Sequence, residues 1–478
     1  MIARLRSIYG ISYERTLCYM LQASEYNIAD FWQWWRSVTD FASVSQRGGL
    51  VLTQFGRALY AGVGIFSFTL LVITGFCLGQ SIAASDSRWL LAGIVLLFAR
   101  PWLVTVGAVV LVIVAERWYV GPRRRAAIGQ ATRIFTEHPG QKIAVLGSYG
   151  KTTMKELLAT VLAEGKTVAA SPATKNVAVS HAAFAQTLTG NEDVIILEFG
   201  EGRPGDTKYF CDLFQPNWAV VTGLAPAHLN AYGSVTAVLE DFTAITQSVN
   251  SDKLYVNGDS PDLVAAFAGA HVYGSSSAAG WKPTHVTVSA QQLTFTAQHK
   301  KRSIKVVSQL LGRHQVGPLL AVIAVADKLG LTDAQIAAGI SHAQPYEHRM
   351  QPRHLGGAVI IDDTYNGNIE GIKAGIALLS ELPAKRKIYV TPGLVEQGDQ
   401  MESVHTQIGE LLRDAAFDEV VLMKNAATTF ITNGLQPAPP KTKITIIDNP
   451  LEYYQNLEYT VASGDVIMMQ NDLPDRYM

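Results

Sequence analysis

The chain has 478 residues and balances 39 Lys and Arg against 40 Asp and Glu, a net charge of −1; it is too long for one ordinary domain and lacks the basic excess of a nucleic-acid binder. Its 48% hydrophobic content excludes a disordered chain, and Cys18, Cys77 and Cys211 are too scattered for a disulfide framework or a Cys-rich zinc site. Charged residues make up only 17%, below the roughly 25% of soluble domains, so part of the chain is expected outside water.

The first region, 1–57, contains "NIADFWQWWRSV". Its Trp32, Trp34 and Trp35 predict an amphipathic helix in a membrane interface, with a Trp-rich surface packed against the catalytic body as the alternative. From Ala58 to Ala84 there is no charge, and Trp89 to Ala115 is interrupted only by Arg100-Pro101. About 20 apolar residues cross a bilayer, so 58–120 reads as a transmembrane hairpin of two helices. The second is either one kinked span or a re-entrant hairpin, and a buried hairpin of a soluble domain competes with both. Arg47 and Arg57 precede the pair, while Arg117, Arg123, Arg124 and Arg125 follow it. The positive-inside rule then puts both ends in the cytoplasm. The expectation is a multi-pass protein of the inner (cytoplasmic) membrane, with the bilayer as a partner and catalytic domains facing the cytoplasm.

From Gln141 the pattern changes to short apolar strands alternating with helices. "KIAVLG", "VIILEFG", "WAVVTGL" and "KLYVNGD" are the strands, and their alternation with helices predicts a doubly wound parallel sheet. Residues 283–310 alternate in Thr, Val and Ile and predict an antiparallel ribbon. A second α/β unit begins near Arg349 with "AVIIDDTY", followed by "KIYVTPG", "DEVVLMK", "KITIIDN" and "DVIMMQND", a smaller Rossmann-like sheet. The fold class is thus α/β, with a central domain over 141–345 and a C-terminal domain over 346–478.

"GSYGKTT", Gly147 to Thr153, lies between the first of these strands and a helix. Glycines at such a turn let backbone N–H groups close on phosphate oxygens, and the helix N-terminus adds its dipole. Gly147, Ser148, Gly150 and Thr153 would form the cradle. Lys151 would reach the β/γ-phosphates of ATP and Thr152 would ligate Mg²⁺. The usual spacing has a glycine where this chain has Val145; an ordinary Gly turn is the bland reading.

"AVLGSYGKTTMKE" resembles the ATP loop of the Mur ligases, especially the MurF type, which adds D-alanyl-D-alanine to the cell-wall precursor. "ILEFGEGRPGD", "PAHLNAYGS", "VNGD", "LLGRHQVGPLLAVIAVADKLG", "EHRMQ", "IIDDTYNGN" and "PGLVEQG" follow in the family's order, over roughly 141–470. The first 140 residues do not resemble the family's UDP-sugar-binding domain. The resemblance implies ATP-dependent amide-bond formation through an acyl phosphate, with an ATPase middle domain and a C-terminal domain that closes over the nucleotide. It implies Glu198 and His228 as metal ligands beside Thr152, Arg349 as a phosphate grip after closure, and Asp363 near the ribose and phosphates. Tyr365 and Asn366 would shape the same loop, Asn176 would lie on the substrate side, and His314 would support the hinge. Read without the family, Glu198 is a strand-end charge, His228 a helix cap and "DDTYN" a polar turn.

Three positions depart from the family. Its carbamoylated lysine, a second-magnesium ligand, falls at Phe242. Its adenine-contacting asparagine falls at Pro318, and its lysine–glycine–serine ending is replaced by "QNDLPD" from Gln470. The expected function is a membrane-attached ligase joining an amino acid or dipeptide to a small-molecule or lipid-linked envelope precursor, with no nucleic-acid partner. The alternatives are a ligase like folylpolyglutamate synthase and an ATP-binding scaffold without catalysis.

Overall fold

The computed structural model describes residues 2–10, 12–24, 26–42, 44, 50–172, 175–226, 229–365, 367–395 and 397–471. The chain divides into two compact units, the first ending at Ala126 and the second beginning at Ala127.

The first unit is helical, with helices Tyr13–Ala23, Ile28–Ser37, Gln54–Ala84 and Ser87–Ala115. Asn27 caps the second by accepting from the Ala29 and Asp30 amides. Phe31 and Trp35, four residues apart and so on one helix face, are buried with Leu17, Met20, Leu59, Val63 and Ala108. One face of the Trp-rich helix, through Phe31 and Trp35, thus belongs to this core, while Trp32 and Trp34 stay half-buried. Trp35 Nε1 donates to the Tyr13 hydroxyl at 3.1 Å, and that hydroxyl pairs with Thr105 Oγ1 at 2.6 Å. Ser87–Ala115 runs unbroken through Pro101, so the re-entrant alternative falls away. The Arg100 guanidinium turns inward, donating to Glu14 Oε1 and to Ser67 Oγ, each at 2.6 Å.

The second unit is built on two sheets and a ribbon. β1 (Gln141–Leu146), β2 (Val168–Ala170), β3 (Val194–Glu198), β4 (Trp218–Val221), β5 (Leu254–Asn257), β6 (His271–Gly274) and β7 (Ser277–Ala278) form a sheet in the order β2-β3-β1-β4-β5-β6-β7. All neighbours are parallel except β7. β1, β3 and β4 are apolar on both faces because helices cover both. Lys151–Leu162 and Val316–Lys328 pack on one face, while Asp206–Phe214 and Ala131 and Phe135 of the Gly121–Glu137 helix pack on the other. β1 lies between β3 and β4, so the chain leaves it in opposite directions across the sheet. That reversal opens a crevice at the carboxyl ends of the strands, where ligands of such sheets bind.

β8 (Lys282–Val288), β9 (Leu293–His299) and β10 (Arg302–Ser308) form the antiparallel ribbon. The second sheet, of β11 (Gln351–Leu355), β12 (Ala358–Asp363), β13 (Arg386–Thr391), β14 (Glu419–Met423), β15 (Lys443–Ile447) and β16 (Asp465–Gln470), is ordered β11-β12-β16-β13-β14-β15. Its strands are parallel apart from β11, an antiparallel edge. β11 is missing from the sequence reading because "QPRHL" has no apolar alternation. It exists because Gly356 and Gly357, at φ 57° and 81°, turn the chain back onto β12.

Candidate active site

The strand β1 ends at Leu146, and the next residues turn sharply. Gly147 has φ 137°, and a Cβ there would lie 2.5 Å from Thr222 Oγ1 and 2.8 Å from the Gly223 nitrogen. Gly150, at φ 74°, delivers the chain into the Lys151–Leu162 helix. The Ser148 amide donates to Gly223 O at 2.8 Å, and Thr222 Oγ1 donates to Tyr149 O, so the β4 end holds the loop in shape. Ser148 Oγ is buried with no hydrogen-bond partner. Thr153 is half-buried in the first helical turn.

Register places Glu198, the last residue of β3, beside Val145 of β1, at the base of this loop. Glu198 is buried, and its Oε1 accepts from Thr152 Oγ1 at 3.2 Å and from Asn176 Nδ2 at 3.5 Å. Its Oε2 has no hydrogen-bond donor and lies 3.8 Å from Lys155 Nζ. Lys155 is fully buried and tied to Ser171 O at 2.8 Å. Lys151 Nζ donates to Gly147 O and, at 3.1 Å, to Glu201 Oε1. Burial pushes the Glu201 carboxyl up to about 7, against the pull of Lys151. Lys151, Thr152, Asn176 and Glu198 therefore form one cluster, and Glu201 is a member that sequence reading missed. The only signal for it was a second carboxylate in "LEFGEG".

A second cluster comes from the C-terminal domain. Arg349 sits between His348 and Met350, both in the left-handed region at φ 59° and 47°. Such non-glycine conformations cost about 1–3 kcal/mol and collect at functional sites. The Arg349 guanidinium carbon lies 4.3 Å from the Tyr365 ring centre, and its Nε is buried without a partner. Burial lowers its pKa, while Asp363, Tyr365 and Glu198 act in the opposite direction. Asp363 accepts from the Met350 amide at 3.1 Å and from Gln470 Nε2 at 2.7 Å, and burial pushes its carboxyl up to about 6. Gln470 Oε1 in turn accepts from the Tyr389 hydroxyl at 2.6 Å. The altered ending thus starts with a residue that orients Asp363. His314 pairs with its neighbour Gln315 at 3.0 Å, and burial lowers its pKa to about 4. His228 and Asn366 lie outside the described residues.

Phe242 is 1% exposed and packs with Phe210, Tyr232, Val238 and Ile245. Its neighbour Asp241 accepts from the Gly205 amide at 2.6 Å and from Thr207 Oγ1 at 2.9 Å, which caps the Asp206–Phe214 helix. Restoring the family's lysine by Phe242→Lys therefore buries an ammonium in this core. The expected cost is roughly 3–5 kcal/mol, read as a lowered chemical-denaturation midpoint. Pro318 occupies the first turn of Val316–Lys328, where a missing N–H costs no helical bond.

Among the described residues no group of three or more His, Cys, Asp or Glu is arranged to hold a metal ion. Thr152 Oγ1 and the Glu198 carboxylate are nevertheless hard oxygen donors side by side, and one Glu198 oxygen is unbonded. That set suits a cation that keeps water and phosphate oxygens as its other ligands, as magnesium does.

Residues 145–326 match the Mur ligase middle domain, and residues 348–470 match the Mur ligase glutamate ligase domain. The chain is 28% identical over 306 residues to UDP-N-acetylmuramoyl-tripeptide–D-alanyl-D-alanine ligase of Escherichia coli, covering 62% of this chain and 68% of that enzyme. It is 30% identical over 282 residues to the enzyme of the same name from Mycobacterium bovis, covering 56% of this chain but only 55% of the relative, about half its length. The crystal structure of MurF from Thermotoga maritima with ADP superposes with a TM-score of 0.64 at 22% identity, covering 73% of this chain and 80% of that one.

These relatives correct the expected localisation. They are named for a nucleotide-linked precursor, which is water-soluble, and not for a membrane-embedded substrate. The multi-pass placement rested on two helices that qualify by length and composition alone, a test that core helices of soluble proteins also pass. The inner-membrane assignment is therefore withdrawn, and the bilayer with it as a partner. The two matched domains stand in series over most of the second unit, and the chain belongs to the Mur ligase family, the ATP-dependent ligases that form C–N bonds, with its relatives on the MurF side.

Proposed function

We propose that the protein joins a D-alanyl-D-alanine-like dipeptide to the terminal carboxylate of a UDP-linked muramoyl-peptide precursor, using a nucleotide domain over 141–345 and a closing domain over 346–478. The observation that carries this reading is the Lys151–Thr152–Glu198 cluster at the mouth of a glycine loop. The carboxylate oxygen of the precursor attacks the γ-phosphorus of ATP, the bond to the bridging oxygen breaks, and ADP leaves. The dipeptide amine then attacks the acyl carbon, loses a proton, and inorganic phosphate departs.

The chain's residues supply position and charge along this path. The Gly147–Thr153 amides and Lys151 hold the phosphates, and Arg349 adds a cation from the other side. Asp363, fixed by Gln470 and the Met350 amide, orients the nucleotide. Thr152 and Glu198 would hold Mg²⁺, which when bound neutralises phosphate charge; His228 is its further candidate ligand. Asn176, Tyr365 and Asn366 are candidates for the substrate side. The test is mass spectrometry of the full-length protein incubated with ATP, UDP-N-acetylmuramoyl-tripeptide and D-alanyl-D-alanine. The expected result is the pentapeptide product with equimolar phosphate. ATP hydrolysis without any joined product overturns the assignment.

A further inference from the structure

The reaction outlined above gives Glu201 no role, yet it occupies the phosphate loop's own cation. It stands three residues beyond Glu198 and is 8% exposed. Its Oε1 takes a hydrogen bond from Lys151 Nζ at 3.1 Å, and the Lys151 side chain is itself only 12% exposed. Its Oε2 has no hydrogen-bond partner, and neither has Oε2 of Glu198. The loop lysine is thus neutralised by a buried carboxylate, and two carboxylate oxygens in its vicinity are unbonded.

A phosphate approaching this loop does not meet a free ammonium. It meets two Lys–Glu pairs, Lys151 with Glu201 at 3.1 Å and Lys155 with Glu198 at 3.8 Å, in surroundings that screen poorly. Lys151 can still serve it: Nζ carries three protons, one on Gly147 O and one on Glu201, which leaves one for a phosphate oxygen. The repulsion from Glu201 remains unless positive charge arrives with the nucleotide. A divalent cation bound to the phosphates brings that charge.

We propose that Glu201 is a charge gate on the phosphate loop, which makes the loop reject metal-free nucleotide and admit the metal-complexed form. The inference rests on the reading that Gly147–Thr153 holds nucleotide phosphates. Glu201 acts through Lys151 and through charge, so it is a positioning residue and not a catalytic one.

The experiment is titration calorimetry of the full chain with ADP, in EDTA and in excess Mg²⁺. Wild-type protein is expected to bind ADP with Mg²⁺ and to bind it weakly in EDTA. Glu201→Gln keeps size and hydrogen bonding but removes the charge. It is expected to tighten metal-free ADP by about tenfold, or about 1.4 kcal/mol, while ADP with Mg²⁺ changes by less than about threefold. Glu201→Asp keeps the charge and is expected to keep the metal dependence; Glu201→Ala is read like the Gln variant if that one does not fold. An unchanged metal dependence in the Gln variant overturns the gate and leaves the phosphate loop standing. Weaker binding of both forms makes Glu201 a mere support for Lys151 and also overturns it. No ADP binding by wild-type protein in Mg²⁺ overturns the loop reading, and the gate with it.

Discussion

Lys151→Ala is expected to lower ATP turnover by on the order of 10²- to 10³-fold, the range seen when one preorganised donor to developing charge is removed. The loss falls on chemistry rather than on folding, for a reason specific to this site. Lys151 opens the Lys151–Leu162 helix outside the apolar core, so truncation opens no core cavity, but it strands Glu201 without its cation. A stranded buried charge ordinarily costs several kcal/mol. Glu201 avoids that cost by protonation, because burial already raises its carboxyl to about 7 while Lys151 is present to oppose the shift. Without Lys151 the value moves higher still. Between the ordinary carboxylate value and the raised one, the native state binds more protons than the unfolded state, so stability falls as pH rises through that window. The variant is therefore expected to melt close to wild type near pH 5 and progressively below it towards pH 8. Thermal melts at the two pH values, beside an assay of ADP release, check both halves. Turnover within a few-fold of wild type removes Lys151 from the phosphate site.

Gly147→Ala is expected to abolish nucleotide binding and to destabilise the second unit by about 3 kcal/mol or more, through strain at a special φ. The φ of 137° suits glycine alone, and the added methyl carbon meets Thr222 Oγ1 at 2.5 Å, Gly223 N at 2.8 Å and Gly223 O at 2.9 Å. Two of those atoms are backbone, and Thr222 Oγ1 is itself bonded to Leu146 O and Tyr149 O. Nothing there swings aside, so β4 or the loop must move. Urea unfolding gives the stability change, and the ADP titration gives the loss of binding. A variant that binds ADP normally shows that the loop tolerates the displacement and does not use its native shape.

Where the information was local, the sequence carried it. Lys151 and Thr152 were legible because strand, glycines and helix start lie within a few residues of one another. The ordered motifs brought in Glu198, Arg349 and Asp363 in the same way. What escaped was held by distant partners. Glu201 acquires its meaning from Lys151, fifty positions earlier, and Gln470 from Asp363, 107 positions earlier. β11 rests on pairing with β12 and not on its own polar sequence. The Trp-rich helix was only partly legible for a related reason: its amphipathic pattern shows that one side is apolar, but not what lies against that side. Trp35 there meets Tyr13 and Trp102, both distant in sequence.

Arg100 carries a consequence for the first unit. Apolar helical surfaces such as those of Gln54–Ala84 and Ser87–Ala115 fit one another in several alignments of similar energy, since one Leu or Val knob resembles the next. Arg100, Glu14 and Ser67 come from three different helices and meet at 2.6 Å. Sliding one helix by a single residue rotates its contact by about 100° and leaves a half-buried charge unmatched, a penalty of roughly 2–3 kcal/mol. The triad therefore works as a key that fits one alignment only, a selectivity that the greasy surfaces around it do not possess.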